Sequence, residues 1–131
     1  MLVVDASCLY EVVTGGVLAE QMRTRLADDG EFGAPHVVDV EVLSTIRRYH
    51  MLGRLDRTEA SQAADDLRDW PGERFGHRGL LARAWELRDN VRTWDAFYVA
   101  LAEALGATLL TRDRKLGNVR GLACPVEVVP Y

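Results

Sequence analysis

Two hydrophobic patterns alternate along the chain. Short runs of consecutive apolar residues are typical of strands buried on both faces. Longer stretches repeat apolar residues every three or four positions, which is typical of amphipathic helices. The runs predict five strands, over residues 2–4, 31–34, 74–76, 107–111 and 126–129. The periodic stretches predict six helices, over residues 7–13, 18–27, 35–52, 58–70, 79–88 and 93–105.

Two of these helices carry the clearest patterns. In the helix 93–105 one face is apolar, and Gly106 follows as a stop signal. That face consists of Trp94, Phe97, Tyr98, Leu101 and Leu105. The helix 35–52 is predicted to start with Pro35 in its first turn, where proline is tolerated. Its core-facing stripe is predicted to be Val38, Val42, Thr45, Ile46, Tyr49 and Leu52. Thr58 is the predicted N-cap of the following helix.

Alternation of strands and helices predicts a parallel sheet covered by helices on both sides. The fold class is therefore α/β, a three-layer α/β/α sandwich, and 131 residues fit a single domain over 1–131. No apolar stretch is long enough to cross a membrane, and Met1 to Asp5 does not resemble a secretion signal. We expect a cytoplasmic protein with no membrane partner, in which Cys8 and Cys124 are buried free thiols.

Three aspartates are predicted to meet at one edge of that sheet. Asp5 directly follows the first strand, and Asp113 follows the strand 107–111. Asp95 lies at the start of the helix 93–105, which extends about 15 Å from Asp95 to its far end. The strand 107–111 then runs back over a similar distance, so Asp113 ends near Asp95. Ligands bind at the carboxyl ends of the strands in sheets of this type. The three carboxylates are therefore expected to share a ligand site.

Glu41 is the fourth candidate acid. It lies within or close beside the core-facing stripe of the helix 35–52, where an unpaired charge would cost several kcal/mol. A bound metal ion would compensate the negative charge of Glu41. Taken singly, each acid also has an ordinary structural explanation, as a helix cap, a turn residue or a residue at the edge of a stripe. Four converging carboxylates would repel one another without cations, and oxygen ligands suit Mg²⁺ or Mn²⁺.

The charged residues of the chain supply a second kind of candidate functional residue. The net charge is −4 at pH 7, which argues against a general nucleic-acid coat protein but not against an enzyme with an acidic pocket. A basic cluster adjoins Asp113 and consists of Arg112, Arg114, Lys115 and Arg120. It is either a solvated loop or a phosphate-binding surface. A second basic group, Arg47, Arg48 and Arg54, belongs to the long helix and could act in the same way.

Four segments in series resemble one known family. They are Val3-Val4-Asp5-Ala6-Ser7, Ala34-Pro35 leading to Val40-Glu41-Val42-Leu43, the run from Trp94-Asp95-Ala96 to Ala102, and Leu109-Leu110-Thr111-Arg112-Asp113. Each segment alone is weak evidence, but their order and spacing together are specific and cover nearly the whole chain. The sequence resembles the PIN-domain proteins, and among them the VapC-type toxins of bacterial toxin–antitoxin pairs.

The resemblance implies a metal-dependent ribonuclease that cuts tRNA, rRNA or mRNA and so inhibits translation. It implies that Asp5, Glu41, Asp95 and Asp113 hold one or two Mg²⁺ or Mn²⁺ ions. Ser7 and Thr111 match hydroxyl positions near the metals, and with Arg112, Arg114 and Lys115 they are the expected substrate-binding residues. A homodimer and a small VapB-like antitoxin partner are also implied. Some relatives carry a further acid after the position of Asp113, where this chain has Lys115, Gly117 and Asn118.

The expected chemistry is hydrolysis of a phosphodiester by water. Because the RNA 2′-hydroxyl is then not needed, the products should carry 5′-phosphate and 3′-hydroxyl ends. One alternative is a catalytically weak module that keeps the fold and binds RNA or an antitoxin. A phospho-acceptor receiver domain is a second alternative, disfavoured because Asp5 has no acidic neighbour and Lys115 is predicted in a loop.

Overall fold

The computed structural model describes residues 1–131 and contains one five-stranded, fully parallel sheet. The strands are β1 (Leu2–Val4), β2 (Phe32–Pro35), β3 (Glu73–Phe75), β4 (Thr108–Thr111) and β5 (Val126–Val128). Their spatial order is β3-β2-β1-β4-β5. Strands β2 and β3 therefore follow on one side of β1, whereas β4 and β5 follow on its other side. This places the topological switch point, where open sheets bind ligands, between β1 and β4.

The chain also forms seven helices. They are α1 (Ala6–Thr14), α2 (Ala19–Asp29), α3 (Val37–Met51), α4 (Arg57–Asp69), α5 (Leu81–Glu86), α6 (Thr93–Leu105) and α7 (Arg114–Gly117). Helices α1 to α4 pack on one another, whereas α5 packs with α6 and α6 contacts β1, β2 and β4. The arrangement confirms the predicted three-layer α/β/α class. No helix combines the length and the apolar composition that crossing a membrane requires.

Several predicted helix boundaries were wrong. Pro35 ends β2 instead of opening α3, because His36 N–H donates to the carbonyl of Phe75 and extends the strand pairing. Helix α4 is capped by Asp56 and not by Thr58, since the Asp56 carboxylate accepts the Glu59 N–H at 2.7 Å in a capping box.

The predicted helix 79–88 is shorter and begins irregularly. A 3₁₀ turn at Arg78–Leu80 precedes α5, which ends at Glu86. Helix α7 was not predicted, because four residues are too few to show a hydrophobic period. The short stretch after β4 therefore becomes helical, where the sequence indicated only a loop.

The core prediction was largely correct on α3 and α6. Val38, Val42 and Ile46 are buried, but Leu52, just past the helix end, is 63% exposed. Trp94, in the first turn of α6, is 58% exposed and does not belong to the core. Cys8 is buried as predicted, whereas Cys124 is only partly covered.

Candidate functional site

All four predicted acids line one cleft of about 310 Å³. Asp5 follows β1, and Asp113 lies two residues beyond the end of β4, its neighbour in the sheet. Asp95 comes from the first turn of α6, and Glu41 comes from α3. The strand and helix lengths thus bring these carboxylates to the switch point of the sheet, as the sequence predicted.

Asp5 is the most deeply placed of these acids, with only 7% of its surface exposed. It is the N-cap of α1, and its carboxylate accepts the Cys8 N–H at 3.1 Å. It also accepts hydrogen bonds from the hydroxyls of Ser7, at 2.6 Å, and Thr111. Burial raises the pKa of Asp5, an effect that the hydrogen bonds oppose and nearby Asp95 reinforces. The side chain is therefore fixed in position and is costly to keep ionised in the absence of a cation.

Thr111 does not have the role that the sequence suggested. It is fully buried, so it cannot be a substrate-binding residue. Its hydroxyl donates to Asp5 and accepts the backbone N–H of Asp113 at 3.0 Å. Ser7 similarly donates to Asp5 and accepts the Arg112 N–H at 3.2 Å. Both hydroxyls join the two strand ends and orient the acids.

The carboxylate of Glu41 has a tyrosine hydroxyl as its hydrogen-bond partner. Its Oε1 accepts a hydrogen bond of 2.9 Å from the hydroxyl of Tyr98, which is almost completely buried on α6. Burial raises the pKa of Glu41, and the negative charges of Asp95 and Asp5 raise it further. From the pattern of the helix 93–105, Tyr98 was predicted only as a core residue. A buried tyrosine hydroxyl nevertheless requires a polar partner, and that requirement was the available signal.

Asp95 and Asp113 complete the cleft. Asp95 forms an ion pair of 3.4 Å with Arg92, one turn earlier, a residue that the sequence analysis did not single out. Burial raises the pKa of Asp95, Arg92 opposes this effect, and the charge of Asp113 adds to it. Asp113 caps α7 by accepting the Lys115 N–H at 2.9 Å.

The cleft has the donor chemistry of a site for a hard cation, but not a preformed ligand shell. Three of the four acids have raised pKa values, and each of these values is raised in part by another acid of the cleft. All four offer carboxylate oxygens, the donors that Mg²⁺ and Mn²⁺ prefer. Across the chain, however, no three His, Cys, Asp or Glu side chains are arranged closely enough to hold one ion. The donor type of the cleft therefore fits a divalent cation.

The basic residues differ in their positions. Arg112 lines the cleft and forms an ion pair of 2.7 Å with Glu11, a nearly buried acid that the sequence analysis missed. Arg114 and Lys115 are exposed on α7 and do not line the cleft. Of the predicted basic cluster, only Arg112 therefore faces the acids directly.

Comparison with known proteins agrees with the fold. Residues 2–122 match the PIN domain. The chain belongs to the PIN-domain family. Ribonuclease VapC9 of Mycobacterium tuberculosis is 36% identical over 130 residues, which is 99% of each chain. Ribonuclease VapC3 of the same species is 40% identical over 118 residues, covering 89% of this chain and 85% of VapC3.

Solved structures show the same PIN fold at lower identity. The protein PAE2754 from Pyrobaculum aerophilum superposes with a TM-score of 0.68 at 22% identity, covering 95% of this chain and 82% of its own. VapBC2 from Rickettsia felis, bound to a DNA fragment from its promoter, gives a TM-score of 0.69 at 14% identity, with 97% of each chain covered. At these identities the likeness concerns the fold alone.

Proposed function

We propose that this PIN-domain protein is a metal-dependent endoribonuclease, the toxin of a toxin–antitoxin pair, which hydrolyses RNA phosphodiester bonds and thereby inhibits translation. The observation that carries the proposal is the meeting of four carboxylates, from separate elements, in one cleft at the switch point of the sheet. Full-length relatives that are named ribonucleases, at 36% identity, support it.

Asp5, Glu41, Asp95 and Asp113 are the residues that would hold one or two Mg²⁺ or Mn²⁺ ions. A bound divalent ion would offset the repulsion among these acids, lower the pKa of water and stabilise negative charge on the phosphate. The raised pKa values of three of the acids support this assignment, since a cation favours their ionised forms.

The chain's own residues have distinct parts in the proposed reaction. Tyr98 holds one oxygen of Glu41, which leaves the other free to accept a hydrogen bond from the attacking water. Ser7 and Thr111 keep the Asp5 carboxylate fixed, so it need not reorganise during the reaction. Arg112, anchored by Glu11, places a guanidinium beside the acids, where it can contact the RNA phosphate.

The proposal includes partners and a location. Solved relatives of the same fold are described as VapBC2 from Rickettsia felis and as a toxin–antitoxin complex from Klebsiella pneumoniae. They support a small antitoxin of the VapB type as the cognate partner. We further propose a homodimer that acts in the cytoplasm, where tRNA, rRNA and mRNA are available as substrates.

Cleavage of labelled cellular RNA by the purified protein tests the proposal. We expect cleavage in Mg²⁺ or Mn²⁺ that stops in EDTA, and products with 5′-phosphate and 3′-hydroxyl ends. Asp95→Asn should slow the reaction by at least about 100-fold, because it removes a charge that the cation requires. Asp89→Asn is the matched control, since Asp89 is exposed and lies outside the cleft.

Two results would contradict this function. If Asp95→Asn cuts as fast as the unmodified protein, the site assignment is wrong. If RNA is bound in Mn²⁺ but never cut, the catalytically weak binding module is the better description.

A further inference from the structure

The first turn of α3 is capped by a residue from outside the helix. Helix α3 carries Glu41, yet its own N-terminal residue provides no side-chain cap. The imidazole of His77, between β3 and the 3₁₀ turn, accepts the N–H of Val37, the first residue of α3, at 3.0 Å. The carbonyl of Phe75 accepts the N–H of His36 at 2.8 Å. The end of β3 and the residues after it therefore fix the point at which α3 begins.

The same imidazole contacts α6. The centre of the His77 ring lies 4.8 Å from the centre of the Phe97 ring, and Phe97 lies between Asp95 and Tyr98 in sequence. Helix α3 packs on α1 and α4, whereas α6 packs on the sheet and on α5. Side chains therefore provide the bridges between α3 and α6 beside the cleft. His77 is one of them, although it does not itself line the cleft.

The hydrogen bond to Val37 requires a neutral imidazole. A backbone N–H only donates, so Nε2 of His77 must carry a lone pair and the ring proton must be on Nδ1. A second proton would leave the N–H of the buried Val37 without its acceptor and would place positive charge at the N-terminus of α3, where the helix dipole disfavours it. Acid would therefore release the start of α3, since histidines change charge between about pH 5 and 8.

No nearby carboxylate would compensate a charged His77. None lies within salt-bridge distance of its ring. The titratable and charged side chains on the adjoining segments of α3, β3, the 3₁₀ turn and α6 are His36, Asp39, Arg74, Arg78, Asp95 and Tyr98. Asp39 and Asp95 are each paired with an arginine, at 3.0 and 3.4 Å. His36 is exposed, and its ring centre lies 6.2 Å from that of His77, which makes it the matched control.

We propose that His77 is a positioning residue, which in its neutral form holds the start of α3 against α6 and thereby sets the place of Glu41 relative to Asp95. It acts through the Val37 N–H and the Phe97 ring. The inference rests on the proposed function for its consequence, which is that a displaced Glu41 weakens the binding of a divalent cation. Below about pH 6 the protein should lose cation affinity by more than the protonation of the cleft acids explains.

Nitrogen-15 NMR of the histidine rings tests the hydrogen bond in the unmodified protein. At pH 7.5, Nε2 of His77 should have the chemical shift of an unprotonated nitrogen and Nδ1 that of a protonated one, because Nε2 accepts the Val37 N–H. His36, which caps nothing, should show exchange between both tautomers. A proton on Nε2 of His77 at this pH would overturn the proposal.

Two substitutions separate the acceptor from the ring. His77→Gln keeps an oxygen that can accept the Val37 N–H, whereas His77→Leu keeps only apolar bulk against Phe97. At pH 7.5, His77→Leu should bind Mn²⁺ about five- to tenfold more weakly, because one lost hydrogen bond lowers the population of the binding-competent form. His77→Gln and His36→Gln should stay within about twofold of the unmodified protein, since both keep an acceptor for Val37. Unchanged binding in His77→Leu, or an equal loss in both His77 variants, would overturn the proposal.

The pH profile of Mn²⁺ binding isolates the proton on His77. Between pH 7.5 and 5.5 the unmodified protein should lose affinity for two reasons, because the cleft acids, whose pKa values are raised, gain protons and because His77 does. In His77→Gln only the first reason remains, so its affinity should fall about five- to tenfold less. His36→Gln should follow the unmodified profile. A His77→Gln profile identical to the unmodified one would overturn the proposal, even if His77→Leu did not fold.

These measurements separate the inference from the proposed function. Mn²⁺ affinity that depends on His77 as described, in a protein that cuts no RNA, would support the positioning role and contradict the nuclease. RNA cleavage by a protein whose Mn²⁺ affinity is insensitive to His77 would contradict the positioning role alone.

Discussion

Removing the Thr111 hydroxyl tests how the cleft is held together. Thr111→Val keeps the shape of the side chain but deletes two buried hydrogen bonds, one to the Asp5 carboxylate and one from the Asp113 N–H. A hydrogen bond to a charged group contributes about 1.5–3 kcal/mol, and a neutral one about 0.5–1.5 kcal/mol. With full burial of Thr111, the expected loss in the free energy of unfolding is about 2–4 kcal/mol. In a domain of this size, that loss lowers the melting temperature by roughly 10 °C.

The pH dependence of this loss has a definite sign. The Thr111 hydrogen bond lowers the pKa of Asp5 against the larger raising effect of burial, so its removal raises that pKa further. A carboxyl group whose pKa is raised on folding costs stability as the pH rises through the folded value. The variant should therefore lose most stability at neutral pH and less in acid.

Urea unfolding followed by tryptophan fluorescence, from pH 4 to 8, measures the effect of this substitution. Thr111→Ser is the control, since it keeps the hydroxyl and loses only a methyl group, at a cost of about 1 kcal/mol. A valine variant as stable as the unmodified protein at pH 7 would refute the reasoning. So would a serine variant that is less stable than the valine variant.

Three further predictions concern the rest of the fold. Gly33→Ala should destabilise the sheet by about 1–3 kcal/mol in urea unfolding, because a Cβ there would lie 2.8 Å from a backbone carbonyl of β3. The Arg83 guanidinium lowers the pKa of Glu103, so Glu103→Gln should cost about 1–3 kcal/mol at pH 7 and progressively less below the ordinary glutamate pKa. Burial raises the pKa of the Cys8 thiol and raises that of Cys124 to about 11, so a disulfide reagent at pH 8 should label neither thiol rapidly in the folded protein.

For some elements, the local sequence predicted both the first and the last residue correctly. Helix α6 was predicted with its observed bounds, because thirteen residues show the helical period and Gly106 adopts the left-handed conformation at its end, with φ of 62°. The predicted start of α3 was wrong because Pro35 suits the end of a strand as well as a first helical turn. Only the pairing with β3 decides between them.

Some features of the candidate site could likewise be predicted from the sequence, and others could not. The aspartates after β1 and β4 could be placed from sequence, because parallel neighbouring strands end at one edge of the sheet. The hydrogen bond from Tyr98 to Glu41 joins residues 57 positions apart, and the ion pair of Arg112 with Glu11 joins residues 101 apart. These contacts depend on how the helices lie relative to one another, which no local pattern specifies.

Binding of Mn²⁺ by the purified protein, measured by the loss of the free-ion electron paramagnetic resonance signal, tests the central claim most directly. The account predicts that the unmodified protein and Asp89→Asn bind one or two ions with the same affinity. Asp5→Asn and Asp95→Asn should each bind at least about tenfold more weakly, since each removes a ligand charge. Mn²⁺ binding that is absent from the unmodified protein, or equally strong in all four proteins, would contradict a metal site built from these carboxylates.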